Sequence, residues 1–253
     1  MKARALVFFG VILGGTAFAQ STQPAANTAQ PTGSPSQSAS AGSAGGQKTI
    51  EDVYLQSGVE VQVIKSLAAE ESRADKVKAL KYIAQMVDAK KVNANSKEVI
   101  HILGSLGSEG VTKVIRSNGR IINDFPDVRM RAADLLGVIG GKQAQDILVN
   151  IALTDPEPMV VSSAVYSLGE IGGGSDHTRI EGIIAELVKE QDAVLPDNNF
   201  AFAAVEALEM LGKKHEGKVN QEVFPALIRI ANGNYIRPVR EKAKEVLDMY
   251  TKL

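Results

Sequence analysis

From Thr49 onward the apolar residues recur at intervals of three and four, and strand-like alternation is absent. Such spacing lays a buried stripe along a helix. The pattern predicts about eleven helices. Two come first, near 58–69 and 72–90. Pairs follow near 96–107 and 110–123, 127–140 and 142–154, 157–172 and 177–190, and 197–212 and 219–232. A single helix near 235–251 closes the series.

The first helices of the pairs repeat one phrase. Their stripes are Val128, Ala132, Leu136 and Ile139; Val160, Ala164, Leu168 and Ile171; Phe200, Ala204, Leu208 and Leu211; and, in the final helix, Val239, Ala243, Leu247 and Tyr250. An earlier copy offers Asn95, Val99, Leu103 and Leu106. The first positions lie 33, 32, 40 and 39 residues apart. Spacing of i, i+4, i+8 and i+11 confines each set to an arc of about 80° on its helix. The second position is Ala in four of the five copies, which lets a neighbouring helix come close. Gly140, Gly172 and Gly212 fall where helices should end, as a left-handed cap favours. Gly104, Gly137 and Gly169 fall inside last turns, where Gly costs about 1 kcal/mol relative to Ala. Repeating that cost at matched places predicts close helix–helix approach. Thr154-Asp155-Pro156, Pro126-Asp127 and Pro196-Asp197 punctuate the helix starts. No pair can bury its stripe alone, so the pairs must stack into an all-α solenoid.

The phrase Pro-Asp-Val-Arg-x-x-Ala-Ala-x-x-Leu-Gly-x-Ile-Gly at 126–140 resembles the HEAT repeat, in the short bacterial form also seen in phycobilin lyase subunits. The resemblance covers 95–250 well and 58–92 weakly. It implies a right-handed α-solenoid of about five helix pairs plus a capping helix over 48–253. The family's Asp and Arg near the first helix start fall on Asp127 and Arg129, and Arg recurs at Arg240. Val161 and Ala201 replace it in the middle copies, so no arginine ladder is continuous. An ion pair to a neighbouring repeat is the expected role of Arg129. The resemblance specifies architecture and leaves activity open.

The chain opens differently. Lys2 and Arg4 precede a short apolar run to Leu13, and Ala17-Phe18-Ala19 supplies a small-x-small site. This reads as a signal peptide over 1–19, too short to span a bilayer. Residues 20–47 carry no charge and consist mainly of Ser, Ala, Gly, Thr, Pro and Gln. They read as a disordered linker of about 30 Å root-mean-square span. With no cysteine in the chain, an extracytoplasmic, periplasmic protein would be held by its core alone. Net charge is −1, aromatic residues make up 5% and Trp is absent, which argues against nucleic-acid binding.

Candidate chemistry is sparse. His101, His177 and His215 lack metal-ligand spacing, so no metal or cofactor is expected. His101 is expected to be packed or partly exposed, and His177 and His215 to be solvated in turns. Some HEAT-like enzymes bind iron through repeated His-Glu pairs, and only His215-Glu216 matches. Ser162, Ser163 and Ser167 have no suitably spaced base, and Gly172-Gly173-Gly174-Ser175 follows a helix rather than a strand, so it reads as a cap and turn. One stripe stands out: Lys113, Arg116, Arg120 and Asn123 would share a face if 110–123 were one helix. It could meet an acidic partner segment, or simply be a solvated face. Ser117-Asn118-Gly119 could break that helix and scatter the stripe. The stretch from Glu190 to Asn199 is the other candidate, because it lengthens one repeat to 40 residues.

The expectation is a monomeric, non-catalytic scaffold or adaptor in the bacterial envelope that binds a protein or peptide, without nucleic acid or transmembrane insertion. The alternatives are an accessory or chaperone-like subunit of an envelope enzyme, or a lyase-like HEAT enzyme. A self-assembling component fits less well, because the final helix carries Arg237, Arg240, Glu241, Lys242, Lys244 and Glu245, as a solvated cap does.

Overall fold

A computed structural model describes residues 50–194, 196–215 and 219–252, with side chains from 58 on apart from 192–194. The expected signal peptide and linker lie outside these residues, as does Glu216. Ten α-helices are present among the described residues: α1 (Ile50–Ala69), α2 (Arg73–Asp88), α3 (Lys97–Gly107), α4 (Pro126–Ile139), α5 (Lys142–Thr154), α6 (Pro158–Ile171), α7 (His177–Val194), α8 (Asn198–Lys214), α9 (Val223–Asn232) and α10 (Arg237–Tyr250). A short hairpin, β1 (Arg116–Ser117) and β2 (Arg120–Ile121), separates α3 from α4. None of the described helices is long and apolar enough to cross a membrane.

The helices stack in two rows. In one row α2 packs on α4, α4 on α6, α6 on α8 and α8 on α10; in the other, α3 packs on α5, α5 on α7 and α7 on α9. The all-α solenoid is therefore present. Its pairing differs from the sequence expectation by one helix. The helix expected at 110–123 does not form, so α3 takes the second place in a pair with α2. Among the described residues the series is α1, four pairs and α10. The stripe Val99, Leu103 and Leu106 is buried as expected, but in the second row, and Asn95 is exposed ahead of the helix.

Burial follows the repeated phrase. Val128, Ala132, Leu136, Val160, Ala164, Leu168, Phe200, Ala204, Leu208, Leu211, Val239 and Ala243 all belong to one continuous core. The glycines mark where successive helices within a row touch. A Cβ on Gly137 would lie 2.6 Å from the Ser167 side chain, one on Gly169 2.5 Å from Ala207 Cα, and one on Gly212 2.8 Å from the Tyr250 ring. Each contact joins successive members of the first row. Gly104 makes the matching approach in the second row, where its Cβ would sit 3.0 Å from Ile147 Cδ1. Gly212 therefore serves the packing and not the helix end, since α8 continues to Lys214.

Helix starts follow local chemistry. Asp197 caps α8 by accepting from the Asn199 and Phe200 amides at 2.7 and 3.0 Å. Pro126 and Pro158 open α4 and α6, where a missing amide proton costs nothing. Thr154-Asp155-Pro156 does not start α6, which begins two residues later; Thr154 ends α5 instead. The long spacing after Glu190 is taken up by helix, because α7 runs to Val194. Tyr250 fastens the last helix: its hydroxyl donates to the Leu208 carbonyl at 2.7 Å and lies 3.0 Å from the buried Glu181 carboxylate. Burial is the main cause that raises the Tyr250 pKa far above its ordinary value, with the Glu181 charge adding to it.

Candidate interaction site

Residues 108–125 leave the solenoid rows and return to them, and the local sequence explains how. Asn118 and Gly119 have φ of 49° and 78°. Two successive left-handed residues match the twist of a two-residue hairpin, the arrangement an Asn-Gly pair favours. Arg116 then pairs with Ile121 and Ser117 with Arg120 across the two strands. Ile122 extends the ladder by donating to the Ile115 carbonyl at 3.0 Å.

The hairpin base is fixed by a buried polar network. Asn123, only 2% exposed, donates through Nδ2 to Glu109 Oε1 at 2.8 Å and to the Lys113 carbonyl at 2.6 Å. Its Oδ1 accepts from the Ile115 amide at 2.8 Å. Glu109 Oε2 meets the buried Lys76 ammonium at 3.3 Å, and Lys76 also donates to the Ala68 carbonyl. On the far side Arg129, 1% exposed, donates to the Glu109 carbonyl at 3.1 Å, to Asp124 at 2.6 Å and to both oxygens of Asp155 at 2.6 and 3.2 Å. Burial lowers the pKa of Arg129, but hydrogen bonds to Asp155 and Asp124 outweigh it and hold the pKa above its ordinary value. The expected ion pair of Arg129 to a neighbouring repeat is thus present. The network runs from α2 through the hairpin base to the turn before α6.

The four residues singled out in sequence therefore separate. Lys113, Arg116 and Arg120 are exposed. Arg116 and Arg120 occupy alternate positions of a ladder, so they project to opposite faces of the hairpin. Asn123 is buried and structural. The single helical stripe is replaced by a solvated, basic and apolar hairpin, in which Val114, Ile121 and Ile122 are exposed beside the cations.

The histidines also differ from expectation. His177 is buried and its ring stacks on that of His215, with centroids 4.1 Å apart and planes 8° from parallel. His177 Nδ1 lies 3.1 Å from the Gly174 carbonyl, and His215 Nε2 contacts the Gly172 carbonyl. The pair fixes the α6–α7 turn against the end of α8, a contact between residues 38 apart that no linear spacing signals. His101 is exposed. Among the described residues, no group of three or more His, Cys, Asp or Glu side chains converges as a metal would require.

Residues 120–195, from the second hairpin strand through the whole of α7, match the family model of HEAT repeats. No curated protein matches the chain.

Proposed function

We propose that this HEAT-repeat solenoid is a non-catalytic, extracytoplasmic scaffold, and that the hairpin between α3 and α4 is one of its contacts with an acidic segment of an envelope protein. The observation that carries this reading is the contrast between the two ends of the hairpin. Its base holds buried charges in fixed geometry, whereas its tip presents Arg116, Arg120, Ile121 and Ile122 to solvent. A buried ion pair adds little net stability compared with apolar packing, and its use is better understood as fixing a geometry. Here the fixed geometry serves an element that contributes nothing to the core. HEAT solenoids commonly hold proteins, and the leader-like start and uncharged linker support a place outside the cytoplasm.

The reading predicts that R116E/R120E folds like the parent and loses most partner capture in pull-down from envelope extracts, most markedly at low salt. Capture that persists unchanged would remove the hairpin from the interface.

A further inference from the structure

A second surface, away from the hairpin, runs across the first row of helices. Met130 and Asp134 of α4, Met159 and Tyr166 of α6, Phe202 and Glu206 of α8 and Ile236 ahead of α10 line one groove of about 520 Å³. It is built from three helix pairs and the start of α10, so no single helix contains it. Its apolar members are unusually open: Met159 is 56% exposed and Ile236 54%, with Tyr166 and Phe202 also exposed. Large apolar side chains gathered on one face mark a binding surface more often than a solvated one.

The groove's charge is one-sided. Its lining includes two carboxylates, Asp134 and Glu206, and no basic side chain. Asp134 is engaged, accepting from the Ser163 hydroxyl and lying 3.7 Å from Arg131. Glu206 differs. Lys242, whose charge acts on Glu206, pairs with Glu209 at 2.8 Å, and no basic group among the described residues forms an ion pair with Glu206. Burial raises the Glu206 pKa, with the Glu209 charge adding to it and Lys242 opposing. A half-buried carboxylate without an ion-pair partner among the described residues, at the wall of an apolar groove, is complementary to a cation that arrives with apolar neighbours.

We propose that this groove takes a polypeptide segment of another protein in which one lysine or arginine is flanked by aliphatic residues, the cation on Glu206 and the flanks on Met159, Phe202 and Ile236. Aromatic and methionine anchors with one enclosed charge are the composition from which interface hot spots are made. The groove and the hairpin favour opposite partner charges, so a single partner could bridge both only with separate acidic and basic segments.

The test uses random dodecapeptides displayed on phage, selected on the protein and counter-selected on F202E, with the winners synthesised. Methionine methyl groups labelled with ¹³C report the location, since Met130 and Met159 line the groove and Met86 does not. The proposal expects winners with one fixed basic position among aliphatic residues. They should shift Met130 and Met159 but not Met86. Their affinity should fall about tenfold or more both on E206Q and when the peptide arginine is replaced by citrulline, as loss of an enclosed charge pair implies. Winners without a basic position, or binding that survives E206Q, would overturn it. So would groove shifts produced by decanoate alone or by concentration-dependent self-association, which would assign the groove to acyl chains or to a second copy. Running R116E/R120E in parallel separates this outcome from failure of the hairpin reading, because groove peptides should bind that variant normally.

Discussion

Replacing Arg129 with methionine is expected to cost about 3–5 kcal/mol of folding stability, the usual penalty for breaking a buried ion pair from one side. The guanidinium is 1% exposed and serves four acceptors: both Asp155 oxygens, Asp124 and the Glu109 carbonyl. Methionine fills much of the space and supplies none of the donors. Asp124 is half exposed and can turn to water, but the Asp155 side chain is 2% exposed and would keep a buried charge. The double variant R129M/D155N should regain part of the loss, because the amide carries no charge and can still accept from the Glu157 amide, as Asp155 now does at 2.9 Å. Urea denaturation of both variants measures this. A loss below about 1 kcal/mol for R129M would show that the network is solvated rather than structural. Hydrogen exchange adds a local readout, since the Ile115 and Ile122 amides should exchange faster in R129M once the Glu109 carbonyl loses its donor.

The second large effect concerns Gly169. On helix propensity alone, Gly169→Ala in α6 would gain about 1 kcal/mol. The added Cβ would meet Ala207 Cα at 2.5 Å and Ala207 Cβ at 2.9 Å, both on the closely packed neighbour α8. Backbone atoms in a helix cannot rotate out of the way, so α6 and α8 must move apart within their row. The expected result is a net loss of about 1–3 kcal/mol, the range of core overpacking. Gly104→Ala is the matched comparison, because its Cβ would meet only the rotatable end of Ile147 at 3.0 Å. It should be within about 1 kcal/mol of the parent, on either side. Equal effects at the two positions, read by thermal or urea unfolding, would contradict the close-packed first row.

Much of this architecture is legible in the sequence for a physical reason. The stripes recur at helical spacing, and the glycines mark close approaches because only their missing Cβ permits them. Asp197 could be recognised as a cap from local chemistry. The hairpin is where legibility fails. Apolar residues at 114, 115, 121 and 122 suit a helix as well as two short strands, and only Asn118-Gly119 distinguishes the cases. Read as a hairpin signal rather than as a possible helix break, that dipeptide would have dissolved the basic stripe and shifted the pairing by one helix. Contacts between repeats are illegible for a different reason. Arg129 with Asp155, His177 with His215 and the groove around Glu206 all join residues far apart in the chain, and their meeting depends on how the rows stack.

The basic hairpin is proposed to hold a partner. The most direct test of this is photocrosslinking in intact cells, with a benzophenone amino acid at Ile121 on the hairpin or at the exposed Leu153 on α5. A partner-binding hairpin should give a discrete, repeatable adduct with an envelope protein from position 121, absent from position 153 and lost when Arg116 and Arg120 are reversed in charge. No adduct from position 121, or the same adduct in the charge-reversed protein, would contradict it.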